Sequence, residues 1–293
     1  MNNINLRKKE RKIIFLFLFF PLLLLFLFGF LPIIELFIYS FTSWNGISKT
    51  KEFVGFDNYI KVLTDPSYFQ VFKNSLYYFL SGILQIIIAM FFAIMLSFKV
   101  KFKSFFKATF VFPTLISGVA ISMIFRIFFE PGGTFDASLG ALGLGEFIHY
   151  WLGDPRFVNY TLASISLWRF TGRSFIMYFG AIQSIPKEYI KAAEIEGASV
   201  MQKVRYVILP NIHTIVKINF ILLIIGAISV FEIPMIMTNG SNGTSTFLLQ
   251  TMKTAFEQKK IGLAASMAVI ITIIIVIATL IQKKVYSNDE DEY

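Results

Sequence analysis

"KAAEIEGASVMQKVRYVILP", from Lys191 to Pro210, is a compact polar stretch set between two long apolar segments. Tyr189, Ala192, Ala193 and Glu196 follow the i, i+3, i+4, i+7 spacing of one helix face. Pro186 suits the first turn of that helix, and Glu188 lies near the positive end of its dipole. Two alanines on the face let another backbone approach closely. Gly197 fits the position after a helix C-terminus, where φ is often positive. Ser199 is placed to cap a second helix, in which Val200, Val204 and Ile208 share a face. Pro210 is expected to break the chain before the next apolar segment. So much structure in a polar loop has two readings: an elbow resting on a membrane surface, or a knob that docks a partner.

The surrounding 293 residues decide the setting. They are 56% hydrophobic, hold 35 Phe and are only 15% charged, against roughly 25% charged in soluble proteins. Mean hydropathy is +0.67. This is the composition of an integral membrane protein. Six segments have about the 20 mostly apolar residues that a spanning helix needs: 13–40, 71–98, 105–129, 160–183, 213–237 and 261–281. The fold class expected is therefore all-α, a polytopic membrane protein with six transmembrane helices. The first segment is too long for a cleaved signal peptide, and no small-residue cleavage site follows it.

Cations orient the spans. Arg7, Lys8, Lys9, Arg11 and Lys12 precede the first. Lys99, Lys101, Lys103 and Lys107 join the second to the third. Lys187, Lys191, Lys203, Arg205 and Lys217 follow the fourth, and Lys283 and Lys284 follow the sixth. With six spans these groups fall on one side, the cytoplasm, and both termini are cytoplasmic. The domain organisation expected is a cytoplasmic tail 1–12, a six-span domain 13–283 with a cytoplasmic loop 184–212, and a cytoplasmic tail 284–293 ending in the acidic "NDEDEY". On the outer side, Gly, Pro, Asn and Asp mark turns in 41–70 and 130–159, and "LGALGLGEFIHYWL", 139–152, is expected to form a short amphipathic helix.

Several functions are excluded. The net charge of +9 is accounted for by topology signals and lipid-facing anchors, so no nucleic acid partner is expected. With no cysteine there is no disulfide, thiolate metal site or Cys nucleophile. His149 and His213 are isolated, so no metal is expected, and no cofactor either. There is no H-E-x-x-H, Ser-His pair or carboxylate dyad for an intramembrane enzyme, so no catalytic residue is named.

The opening stretch resembles the coupling loop of binding-protein-dependent ABC transporter permeases, whose pattern is E-A-A, three residues, G, nine residues, then I-x-L-P. Here Lys191, Ala192 and Ala193 take the first place, with Lys191 where the family has Glu. Gly197 follows after three residues. Val207, Ile208, Leu209 and Pro210 come after nine more, with Val207 in place of Ile. "YSFTSWNG", "FVGFDNY", "DPSYF", "WLGDP", "QSIPKEYIKAAEIEGAS" and "GLAASMAVI" recur in that order in carbohydrate-uptake permeases similar to the first permease of maltose and glycerol-3-phosphate type systems. The resemblance covers essentially the whole chain. One departure is "TNGSNG", 238–243, where family members often carry T-x-G-G-P.

The resemblance implies the type I importer permease fold in a bacterial plasma membrane. It implies a heterodimer with a second permease, over a cytoplasmic ATPase dimer, fed by an extracellular solute-binding protein. The chain lacks G-x-x-x-x-G-K-[ST], so ATP hydrolysis belongs to a separate subunit. Its coupling residues would be Glu188, Lys191, Ala192, Ala193, Glu194, Glu196, Gly197, Leu209 and Pro210, with the glutamates pairing with basic groups of an ATPase cleft. A charge inside a span should face a partner or a wet cavity. Arg169, Arg173 and Glu232 fit that description, and Ser81, Gln85, Trp168, Tyr178 and Ser229 are further candidates for a solute path. The competing class is a secondary transporter that works alone. That class usually shows an inverted repeat, none is visible here, and the loop would have no role in it.

Overall fold

The computed structural model describes the backbone of residues 2–98 and 100–287, and the side chains of 12–98 and 100–284. Lys99, the side chains of Arg7, Lys8, Lys9 and Arg11, and the acidic tail 288–293 lie outside the described residues. The regular elements among the described residues are all helices, apart from one isolated antiparallel bridge between Thr42 and Phe53. Four helical runs are long and apolar enough to cross a membrane: Lys12–Ser40, Pro66–Ser97, Val200–Thr238 and Ile261–Lys284.

The chain divides into two compact units, Met1–Asp65 with Thr251–Thr272, and Pro66–Gln250 with Ile273–Tyr293. In the first unit, helices α1 (Asn2–Leu25) and α2 (Leu31–Tyr39) are joined through a π turn, Phe26–Phe30. Their described apolar side chains are exposed all round, as in a helix whose surroundings are lipid or another subunit. The "SFTSWNG" segment after α2 is tied by side chains. Asn58, on α3 (Asp57–Thr64), donates from Nδ2 to the Ser40 and Thr42 carbonyls at 2.9 Å each. Phe41 packs on Phe53, Phe56 and Tyr59.

The second unit holds the core. Helix α4 (Pro66–Gln70) leads into α5 (Phe72–Ser97), which lies along α9 (Val158–Ser184); α6 (Lys103–Leu115) and α12 (Leu209–Ile228) pack against α9. Small residues allow the approach, as expected where van der Waals packing joins membrane helices. Ala89 and Ala93 of α5 are fully buried beside Phe175, Tyr178 and Ile182 of α9. Gly172 lets α9 meet the Phe110 carbonyl of α6, which any Cβ would strike.

Three expected spans differ from their sequence reading. The third is not one straight helix: α6 and α7 (Gly118–Phe129) meet at a 98° bend. Pro113 weakens the end of α6, and Ser117 takes an extended conformation and caps α7 by accepting the Ala120 N–H at 3.2 Å. The fourth forms one continuous 27-residue helix, α9, but its polar residues keep it out of the strongly apolar class. The fifth is interrupted at 229–231, between α12 and α13 (Glu232–Thr238).

Pro210 does not break the chain. A π turn, Val204–Ile208, stands immediately before Leu209 and Pro210, with the Leu209 N–H bonded to the Val204 carbonyl. A proline ring clashes with the carbonyl four residues back, and the wider π turn makes room for it. Pro32 follows the π turn at Phe26–Phe30 at the same spacing.

The segment 139–152 does not form the single amphipathic helix expected; it holds the end of one helix and a short 3-10 turn, Gly145–Phe147. Helix α8 (Thr134–Ala141) ends within it, and Gly143 at φ +73° turns the chain. Asp136 anchors this loop, accepting from Trp151 Nε1 and the Gly132 N–H at 2.8 Å each. The "TNGSNG" turn carries positive φ at Asn239, Gly240, Asn242 and Gly243, residue types that adopt this conformation readily. Helices α14 (Phe247–Phe256) and α15 (Ile261–Ser287) complete the chain.

Candidate functional site

Two places gather the polar residues named from sequence. The first is the loop after α9. Helix α10 (Lys187–Ile195) starts at Pro186 and ends in a paired-carbonyl cap. Gly197 N–H bonds to the Glu194 carbonyl at 3.1 Å, and Ala198 N–H to the Ala193 carbonyl at 2.9 Å, with Gly197 at φ +78°. Ser199 then caps α11 (Val200–Lys203) in a reciprocal box with Gln202: Ser199 N–H donates to Gln202 Oε1 at 2.7 Å and Gln202 N–H to Ser199 Oγ at 3.3 Å.

Glu194 has its partner inside the loop. Lys203 Nζ lies 3.0 Å from Glu194 Oε1, with the lysine side chain 11% exposed and the glutamate 55%. The bridge clamps the two arms of the turn, and neither its geometry nor Lys203 was foreseen. The signal was the opposite charge placed nine residues away across a Gly turn. Glu188, Lys191, Ala192, Glu196 and Gly197 are exposed, Ala193 is half-buried, and Ile195 is 87% exposed. Leu209 is half-buried against the core that contains Ile208 and Ile212, and Pro210 is exposed.

The second place is a cavity of about 220 Å³ between α5, α9 and the α12–α13 break. Six of the named residues line it: Ser81, Gln85, Arg169, Arg173, Ser229 and Glu232. Arg169 Nη1 and Glu232 Oε2 form an ion pair at 2.7 Å. The pair lies on Gly118 at the start of α7, where a Cβ would overlap both the carboxylate and the guanidinium. The positive end of α7 thus adds to the attraction for Glu232. Gln85 is held by its Nε2, which donates to Ser174 Oγ at 2.6 Å and to the Phe170 carbonyl at 3.1 Å. The guanidinium carbons of Arg169 and Arg173 stand 5.0 and 5.1 Å from the Phe170 ring centroid. Tyr78 and Ser166 also line the cavity, and their hydroxyls are buried with no hydrogen-bond partner among the described residues.

Trp168 and Tyr178 are not in this wall. Trp168, 40% exposed, packs edge-on against Phe125 at 5.3 Å between centroids. Tyr178 is fully buried in the α5–α9 core. Both face other sides of α9 than Arg169 and Arg173. Gly118 and Phe170 were missed. "PTLISG", 113–118, with a proline, a capping serine and a glycine, carried the signal for the first.

Comparison with known proteins fits this geometry. The family model described as "binding-protein-dependent transport system inner membrane component" matches residues 69–287. The multiple sugar-binding transport system permease protein MsmF of Streptococcus mutans is 31% identical over 277 residues, covering 94% of this chain and 95% of that protein. A bacterial ABC transporter involved in the import of the acidic polysaccharide alginate has a chain of the same fold, with a TM-score of 0.84, 17% identity and coverage of 98% and 99%. A bacterial alginate ABC transporter in complex with an alginate pentasaccharide-bound periplasmic protein aligns at a TM-score of 0.81, with 18% identity and 94% coverage of each chain. The chain belongs to the binding-protein-dependent transport system inner membrane component family, the permease subunits of ABC importers.

Proposed function

We propose that this chain forms half of the translocation pathway of a carbohydrate importer in a bacterial plasma membrane. It crosses six times with both termini in the cytoplasm, the bent α6–α7 pair and α9 serving as the third and fourth crossings. The tail 1–12, the six-span domain 13–283 and the tail 284–293 keep the division expected from sequence. A second permease completes the pathway, a solute-binding protein delivers the solute from outside, and a cytoplasmic ATPase dimer drives the cycle. The chain itself is non-catalytic. The sugar-transport name of its relative MsmF supports the substrate class.

The observation that carries this reading is the rigid loop at the end of α9. Its ends are capped, its arms are clamped by Lys203 and Glu194, and it presents Glu188, Lys191, Ala192, Ile195 and Glu196 outward. This is the shape of a knob seated in the cleft of an ATPase. The cavity on the same helix lies at Arg169 and Arg173, eleven or more residues from Ser184, which is about 16 Å along an α-helix. ATP-driven closure of the ATPases moves the knobs together, and α9 transmits that movement to the cavity as a rigid element.

The test is co-purification of the tagged chain from its native membrane, with Ala193→Leu and Gly197→Leu as variants. An ATPase and a second permease should accompany the native chain, and the ATPase should be lost from both variants. A chain that purifies alone, or partners indifferent to both changes, would leave the loop a membrane-surface elbow and favour a carrier that works alone.

A further inference from the structure

We propose that the cavity binds an acidic group of its solute at Arg173, so that the imported carbohydrate is anionic. This rests on the carbohydrate reading above. The charges in the wall do not cancel. Arg169 is neutralised by Glu232 at 2.7 Å. Arg173, one helical turn further along α9, makes no ion pair among the described residues. The groups facing it from the other elements are neutral. Helix α5 offers Ser81 and Gln85, the α12–α13 break offers Ser229, and α6 offers Thr114. Glu232, the one carboxylate in the wall, is engaged by Arg169 and fixed on Gly118.

One uncompensated guanidinium therefore stands midway along α9. A lone cation at membrane depth is costly, and such residues mark solute pathways. Arg173 also opens onto a second recess, lined with Thr114, Phe170, Ile176 and Met177, so its fork has room on both sides. A guanidinium pairs with two oxygens of one carboxylate or phosphate group in a fixed geometry. The Phe170 ring centroid lies 5.1 Å from the guanidinium carbon. A neutral sugar would leave this donor fork unmatched.

The experiment is ATP-dependent uptake into vesicles carrying the whole importer, using radiolabelled maltotriose, trigalacturonate and glucose 6-phosphate. The native chain should accumulate an acidic probe in preference to maltotriose, and the choice between trigalacturonate and glucose 6-phosphate tells carboxylate from phosphate. Arg173→Gln should cut acidic uptake by about tenfold or more, with Arg173→Lys intermediate. Co-purification of the second permease and ATPase checks assembly of each variant. Uptake of maltotriose over both acids, or acidic uptake equal in Arg173→Gln, overturns the proposal while the carbohydrate reading stands. Loss of the second permease from Arg173→Gln also overturns it, by making Arg173 a subunit contact. Uptake of none of the three by an assembled importer removes the carbohydrate reading and this proposal with it.

Discussion

Gly118 holds its place because two charged side chains occupy the space of its missing Cβ. The Glu232 carboxylate lies against it, drawn there by Arg169 and by the free N–H groups at the start of α7. Arg169 is 17% exposed and Glu232 33%, so the pair is screened less than a surface bridge. Removing one partner of a fully buried pair costs about 3–5 kcal/mol, and this partly exposed pair should lose about 2–3 kcal/mol. Glu232→Ala should destabilise by that amount in a detergent melt. Gly118→Ala should cost a similar amount, because the new methyl group expels the carboxylate. The double variant should cost less than the sum of the two single losses, since the methyl then meets only the Arg169 guanidinium, freed of its carboxylate. Additive losses would mean that Gly118 matters for the backbone of the α6–α7 bend and not for the ion pair.

The same asymmetry between partners governs the loop after α9. Lys203 is buried and Glu194 half-exposed, so the bridge has one partner that water can replace and one that it cannot. Glu194→Ala leaves a buried ammonium without its carboxylate, whereas Lys203→Met replaces the cation with an apolar side chain of similar length. Hydrogen exchange of the 187–203 amides should therefore quicken about tenfold in Glu194→Ala, a loss of about 1.4 kcal/mol, and change little in Lys203→Met. Equal acceleration in both would make the bridge itself the clamp, beyond the cost of the orphaned charge. Much of this element was legible. Pro186, Gly197 and Ser199 act through backbone chemistry that depends on neighbours in sequence; Gly197 and Ser199 stand where their residue types placed them, and Pro186 is the N-cap, one place before the first turn. Glu194 was read outward because its partner lies across the turn, where helical spacing gives no guidance. The straight third span failed for a related reason. Its hydropathy is continuous, but Pro113, Ser117 and Gly118 redirect the backbone without adding charge. Six of the eight cavity candidates share one wall because charge and polarity inside an apolar run demand a wet neighbour. Trp168 and Tyr178 satisfy themselves in packing, which polarity alone does not distinguish.

At the scale of the whole molecule the proposed importer makes a demand on topology: the loop would have to face an ATPase, and the turns at the far ends of the helices the incoming solute. Six crossings from a cytoplasmic N-terminus would place 41–70 and 130–159 outside and 184–212 inside. With five, every segment after the lost crossing would change sides. If α6 and α7 formed a re-entrant loop, 130–159 and 41–70 would lie on opposite faces. The sequence contains no cysteine, so single substitutions report accessibility without background. Ile47 and Leu142 are each 73% exposed, and Ile195 is 87% exposed. In intact cells a membrane-impermeant maleimide should label Ile47→Cys and Leu142→Cys. Ile195→Cys should react only after the membrane is permeabilised, and its labelling should then be reduced when the ATPase is present. External labelling at position 47 with protection at 142 would make α6–α7 a re-entrant hairpin and reverse α9, placing the Lys191–Pro210 loop on the solute side where no ATPase can reach it. Labelling at both 47 and 142, with 195 shielded, fixes the bent pair as a full crossing and sets the α9 arginines between the two faces that the transport cycle must connect.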